Sequence, residues 1–203
     1  YNKDGKTTFG ALAICTTDYN DGILNSGISR FTSKDFARAL RDNLVTDLTA
    51  QFGEFGKRYL WDRNYSETRL PEVPSAILEM LSHQNFPDMR IAQDPLGKFY
   101  IARSIYKTIL RFVNSNHGTR YVVQPLAPQN FSVTQNQGVA LLSWTAQLDK
   151  TEPSARPTSY IIYKAEGQGG FDNGTIVNTT RCQMQLKPGK LYHFKVAAVN
   201  AGG

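Results

Sequence analysis

Glu79 is the residue of this chain best placed to do chemistry. It stands in the run AILEML (residues 76–81), whose other members are apolar, and polar residues 82–85 follow directly. A carboxylate held at the end of a buried strand can act as a general base if a substrate proton lies within hydrogen-bond reach. On the wet face of a short helix, the same carboxylate would only be solvated.

The residues around this run favour a strand. Pro74 precedes it and Pro87 follows soon after, so the element is too short for a stable helix. Its apolar residues also do not form a single helical stripe. Catalytic groups of open α/β sheets lie beyond the carboxyl ends of strands. We therefore expect Glu79 to end a buried strand and to point into a cleft.

No set of metal ligands is visible in the sequence. The three histidines, His83, His117 and His193, have no second His or Cys at ligand spacing, and we expect them to be surface residues or locally hydrogen-bonded. Cys15 and Cys182 are far apart and are predicted to be two buried thiols. No residue is therefore assigned to a metal.

Arg69 is a second candidate site residue, in the approach to the AILEML strand. Its guanidinium could pair with Glu79 or with a carboxylate of a substrate. The alternative is a solvated arginine in a loop.

Composition and charge exclude some classes of protein. The 203 residues are 40% apolar and 20% charged, which is enough for a hydrophobic core in one large or two small domains. The net charge of +6 comes from scattered basic residues without interleaved aromatics, so we expect no nucleic-acid partner. No apolar run is long enough to span a membrane. The chain lacks an initial Met and soon enters a strand-like segment. We therefore expect the chain to be a piece of a longer protein.

The first part of the chain alternates strands and helices. The predicted order is a strand at residues 9–17, a helix capped by Ser33 that ends at Gly53, a strand at 58–62, the AILEML strand, and a helix that begins at Asp94-Pro95 and ends in NSNHG. Pro71 and Pro74 are taken to exclude regular structure before Ser75. This alternation predicts an α/β domain with a mainly parallel sheet and flanking helices, over residues 1–123.

The second part of the chain has a different sequence pattern. Residues 124–129 contain two prolines and no periodicity, and are predicted to be a linker. Residues 130–203 contain short segments with β-type patterns, separated by Gly, Pro and Asn turns. They predict an all-β sandwich.

This sandwich resembles the fibronectin type III family over residues 127–203. Trp144 matches the core tryptophan of the family's second strand, and Leu186 with Tyr192 matches its tyrosine corner. The resemblance implies that Trp144 fills the space between the sheets and that the Tyr192 hydroxyl bonds a backbone group. The family has a seventh strand, and the sequence ends after the sixth. We expect the natural protein to continue past Gly203, or a partner to cover that edge.

The first domain resembles the zinc-dependent N-acetylmuramoyl-L-alanine amidases, in the C-terminal half of their catalytic domain. The matching positions are Pro74, Leu78, Glu79, Leu81 and Ser82, with Asn85 and Asp88 fitting more loosely. The sequence EMLSHQN differs from the commoner E-x-G-F-L-S-N motif of the family at Met80 and Leu81, and by apparent extra residues around His83.

The resemblance implies that Glu79 is the family's catalytic glutamate. In that family it takes a proton from a zinc-bound water that attacks the amide between muramic acid and L-alanine. The zinc ligands are two His and one Glu upstream of this segment, and the last His lies in the strand just before the one that starts here at Phe9. We therefore expect zinc in the intact parent enzyme but none in this chain, which should be inactive by itself. The resemblance also implies two partners, peptidoglycan and the upstream segment of the same protein. It implies a location outside the cytoplasm, in the periplasm or at the cell surface.

Two other functions remain open from the sequence. The chain could be a non-catalytic cell-surface interaction protein, with the sandwich presenting a binding face. It could also belong to a polysaccharide-processing exoenzyme with an amidase-like module, which would require exposed aromatic residues clustered for sugar stacking.

Overall fold

The computed structural model describes residues 9–203, which divide into two compact units between Thr119 and Arg120. The elements of the first unit are β1 (Ala11–Cys15), α1 (Phe31–Phe52), β2 (Lys57–Asp62), α2 (Ser66–Arg69), β3 (Ile77–Glu79), α3 (Phe86–Gln93) and α4 (Pro95–His117). Those of the second unit are β4 (Gln129–Asn136), β5 (Val139–Thr145), β6 (Ser159–Glu166), β7 (Thr175–Val177), β8 (Arg181–Gln185) and β9 (Tyr192–Val199).

The sheet of the first unit is small and mixed, whereas a mainly parallel sheet was expected. Its order is β2-β1-β3, with β1 parallel to β2 and antiparallel to β3. The AILEML run does form a strand, but this strand lies at the edge of the described sheet. Ile77 and Leu78 are therefore half-buried, and the expectation of a buried strand is wrong for the described residues.

Helix α1 forms the core of this unit together with β1. Leu44 and Leu48 pack with Ala11, and Ala37 packs with Ala13 and Cys15. Tyr100 and Ile101 of α4 join the first of these clusters. The i, i+4 stripe of α1 thus covers one face of the sheet.

The helix ends agree with the sequence in part. Asp94 caps α4 by accepting a hydrogen bond from the Leu96 amide at 2.9 Å, as predicted, and Gly118 ends the helix in a left-handed conformation. The predicted cap at Ser33 is wrong, because α1 already begins at Phe31 and the Ser33 hydroxyl accepts a hydrogen bond from the Ser75 amide. Helix α3 was not predicted, and α2 forms where the prolines were taken to exclude regular structure.

The second unit is an antiparallel sandwich of two sheets, ordered β4-β5-β8 and β7-β6-β9. Trp144 is buried between them, and its ring meets that of Tyr160 edge-on at 5.3 Å. The Tyr192 hydroxyl accepts a hydrogen bond from the Lys187 amide at 3.1 Å, which is the contact expected of a tyrosine corner. The predicted fold class, α/β followed by an all-β sandwich, is confirmed.

Residues just after the division belong to the sandwich. The Val123 amide donates to the Ser154 hydroxyl at 3.1 Å, and the Asn200 side-chain amide donates to the Val123 carbonyl at 2.9 Å. The Tyr121 hydroxyl also bonds the buried carboxylate of Glu152. These bonds attach the entering chain to the second unit.

Candidate active site

Strand β3 places Glu79 at the end of the sheet where β1 begins. The antiparallel register pairs Glu79 with Leu12 and Ile77 with Ile14. Leu78 packs into the core on the α1 side, so strand alternation directs Glu79 to the opposite face of the sheet. Its side chain is 46% exposed there, so water can reach the carboxylate.

Arg58 reaches Glu79 from β2, across β1. Its Nη2 lies 3.4 Å from Oε2 of Glu79, and its Nε donates to the Gly10 carbonyl at 2.8 Å. Ala11 pairs with Lys57 but Ala13 pairs with Leu60, so β2 carries one extra residue between these pairs. Such a bulge redirects side chains, and here Arg58 points to the same face as Glu79.

Gly10 joins the parts of the site. Its carbonyl accepts from Arg58, and its amide donates to Oδ2 of Asp88 at 2.7 Å. Its φ of +86° lies in the region that favours glycine, and a Cβ atom here would stand 1.7 Å from the Gly56 carbonyl oxygen. No other residue fits this position without moving the start of β1 or β2.

The loop after Glu79 is held by Asp88, which is buried. Oδ2 of Asp88 accepts from the Ser82 amide at 2.8 Å as well as from Gly10. The Asn85 side chain in turn accepts from the Asp88 amide at 3.0 Å and caps α3. The positions that carry the sequence pattern after Glu79 therefore fix the β3–α3 loop to the start of β1.

The structure does not bring Arg69 to Glu79. Arg69 lies at the other end of β1, because the neighbouring Thr68 bonds Thr16 through their hydroxyls at 2.7 Å. Its Nη1 donates to the Asn64 side chain at 3.0 Å, and its guanidinium lies over the Tyr19 ring. Arg58 is the residue that contacts Glu79, and sequence reasoning missed it because no local pattern reveals the bulge.

The described residues do not fit a zinc site. Residues 9–203 contain no group of three or more His, Cys, Asp or Glu side chains that could hold a metal ion. His83, His117 and His193 are all exposed, and Glu79 is paired with a cation. Burial, together with the charge of Asp62, raises the pKa of the Cys15 thiol to about 11, so this cysteine stays protonated near neutral pH.

Comparisons with solved structures find partial matches at low identity. The N-acetylmuramoyl-L-alanine amidase from Clostridium difficile 630 is 17% identical, with a TM-score of 0.44 over 56% of this chain and 53% of its own. The CwlD amidase from Clostridioides difficile, in complex with the GerS lipoprotein, is 16% identical, with a TM-score of 0.43 over 54% of this chain and 49% of its own. The chain thus spans about half the length of both, and these scores establish neither activity nor substrate.

The sandwich has its own matches. The fibronectin type III domain of human collagen XX is 21% identical, with a TM-score of 0.32 over 42% of this chain and 88% of that domain. No curated protein matches the chain in sequence. Among the described helices, none has the length and apolar character required to cross a bilayer. The family model of the fibronectin type III domain matches residues 126–203, the part of the chain that forms the sandwich.

Proposed function

We propose that the first unit is the C-terminal half of an amidase catalytic domain, which hydrolyses the amide between N-acetylmuramic acid and L-alanine in peptidoglycan. The observation that carries this proposal is the pairing of Glu79 with Leu12. It puts the carboxylate at the end of the sheet where the chain enters β1. The amidase resemblance assigns the last zinc-binding His to the strand that precedes, in the family's sequence, the one that starts here at Phe9, and this preceding strand lies upstream of the chain.

The open edge of β3 supports this assignment. Among the described strands, β3 pairs with β1 alone, so the backbone groups along its other edge are available to a further strand. An upstream strand paired there would bring its end close to Glu79. The described donor set does not fit zinc, so we place the zinc ligands of the intact enzyme in the segment before Tyr1.

Glu79 can serve as the general base of this hydrolysis. Arg58 contacts Oε2, and Oε1 has no hydrogen-bond partner among the described residues. Oε1 can therefore accept a proton from water as the water oxygen bonds to the amide carbon. The same carboxyl then gives this proton to the nitrogen as the C–N bond breaks. Glu79 is thus regenerated, and the products are a lactyl carboxylate and a free L-alanine amine.

Peptidoglycan also implies a location. Because this polymer lies outside the cytoplasmic membrane, we propose that the protein acts in the periplasm or at the cell surface. The fibronectin type III domain then serves to space or dock the catalytic unit, as such modules commonly do.

The test uses the parent protein, with the residues that precede Tyr1. Purified sacculi are incubated with it, and the products are identified by mass spectrometry. We expect stem peptides with a free L-alanine amine, and glycan strands that keep their lactyl groups. The 203-residue chain alone should release none. Intact sacculi after incubation with the parent protein would overturn the proposal.

A further inference from the structure

An aromatic stripe lies on β2, on the far side of the sheet from α1. It consists of Tyr59 and Trp61, at alternate positions of β2, and of Arg63, which directly follows the strand. The two rings are nearly parallel, with 12° between their planes and 6.1 Å between their centroids. Tyr59 is 68% exposed and Trp61 is 36% exposed. Large aromatic side chains held in this way on a surface are typical of a binding site.

Arg63 extends the stripe at a fixed position. Its guanidinium lies 5.7 Å from the Trp61 ring centroid. Its amide donates to the Cys15 carbonyl at 2.8 Å, and its carbonyl accepts from the Thr16 hydroxyl at 2.6 Å. Because the backbone is bound on both sides, the arginine can present its remaining N–H groups to a ligand with little loss of entropy.

The stripe and Glu79 share one face of the sheet. Leu60, which alternates with Tyr59 and Trp61, packs into the α1 side with Ala13. Tyr59 and Trp61 therefore lie on the opposite side, as Glu79 does. Arg58 connects the two features, since it neighbours Tyr59 and contacts Glu79. A polymer bound along β2 would thus pass close to the candidate base.

The chemistry of the stripe fits a sugar polymer. The negative face of an aromatic ring attracts the C–H groups on the apolar face of a pyranose, and arginine N–H groups can bond sugar hydroxyl and acetamido oxygens. The stripe spans roughly 13 Å at about 3.3 Å per residue, enough for a short run of sugar rings.

The local charge argues against nucleic acid. The cations next to the stripe are already paired with carboxylates: Lys57 with Asp42 at 3.1 Å, Arg58 with Glu79 at 3.4 Å and Lys34 with Asp62 at 3.5 Å. A site for a polyphosphate needs an excess of cations, whereas a neutral polyhydroxylated ligand does not.

We propose that the stripe Tyr59–Trp61–Arg63 binds the glycan strand of peptidoglycan, a β-1,4-linked chain of N-acetylated amino sugars. This inference rests on the proposed function for the choice of polymer. The inference adds to the proposed function a binding surface that is separate from the scissile amide. This surface would hold the glycan strand while Glu79 acts on the lactyl amide attached to that strand.

The test measures binding without catalysis. Chitohexaose, which has the same linkage and acetamido groups, is titrated into the 203-residue chain, and tryptophan fluorescence is followed. Trp61 is the reporter, because the second of the two tryptophans, Trp144, is 5% exposed. We expect a saturable change in fluorescence. We also expect Tyr59→Ala and Trp61→Ala to weaken binding by about tenfold or more, measured by calorimetry.

One variant serves as the control. Phe86→Ala removes an aromatic side chain that is 67% exposed but lies on α3, and should leave the affinity unchanged. Three results would overturn the proposal that the stripe binds glycan. They are full affinity in Trp61→Ala, no binding of chitohexaose, and binding of single-stranded DNA in place of chitohexaose. None of these results would touch the amidase proposal, which fails only if the parent protein releases no stem peptides.

Discussion

Arg58 and Glu79 form an ion pair that spans the middle strand of the sheet. Nη2 of Arg58, on β2, lies 3.4 Å from Oε2 of Glu79, on β3, and the same guanidinium bonds Gly10 at the entry to β1. Three strands are thus joined at one end of the sheet by a single side chain. We interpret Arg58 as a residue that positions the carboxylate.

Replacement of Arg58 should loosen this end of the sheet. Arg58→Gln removes the ion pair and the bond to the Gly10 carbonyl, and we expect the free energy of unfolding to fall by about 1 kcal/mol. Arg38→Gln is the matched control, because Arg38 pairs with Asp35 at the exposed surface, and it should cost less than about 0.5 kcal/mol. Urea denaturation measures both. Equal effects of the two substitutions would show that Arg58 contributes no more than a surface arginine.

Gly10 should tolerate no side chain. Gly10→Ala combines a positive φ with a Cβ that would meet the Gly56 carbonyl, and we expect a loss of more than about 3 kcal/mol. Gly118→Ala, at the end of α4, shares the positive φ but has open space around its Cβ. It should cost only about 1 kcal/mol. Thermal unfolding of the two variants separates the effect of crowding from that of backbone conformation, and similar losses would contradict the close approach of Gly10 to Gly56.

Local signals made some parts of this structure predictable. The Asp94-Pro95 start and the Gly118 end of α4 depend on neighbouring residues, and both were predicted correctly. Helix α3 has an equally local signal, Asn85 with Asp88 three residues later and Pro87 in the first turn, but the sequence prediction used Pro87 only as a limit of the AILEML run.

Other parts depend on pairing between distant segments. The sequence pattern indicated a strand that ends at Glu79, but not that this strand runs antiparallel to β1 and lies at the edge of the described sheet. The pairing of Arg58 with Glu79 requires the bulge in β2, which has no signature in the residues themselves. A single sequence therefore pointed to the carboxylate, while its partner could only be found from the fold.

Cys15 should make stability depend on pH in the alkaline range. Burial is the main cause that raises the pKa of its thiol from an ordinary value of 9.0 to about 11 in the folded state. The folded protein therefore holds this proton more tightly than the unfolded chain does. The resulting stability is fully present below pH 9.0 and is lost as the pH rises through about 11.

The variant Cys15→Ala isolates this effect from other groups that titrate in the same range. The difference in unfolding free energy between the unaltered chain and Cys15→Ala should shrink across this range of pH. A difference that stays constant would show that the thiol titrates alike in both states.

The role of Glu79 as the general base of an amidase is tested most directly by peptide release from sacculi with the parent protein carrying Glu79→Gln. Glutamine keeps the size of the side chain but cannot accept the proton, so we expect kcat to fall by about 10²–10⁴-fold with sacculus binding unchanged. Glu72→Gln, at an exposed position in the preceding loop, should retain full activity. Undiminished release by the Glu79→Gln protein would contradict the account.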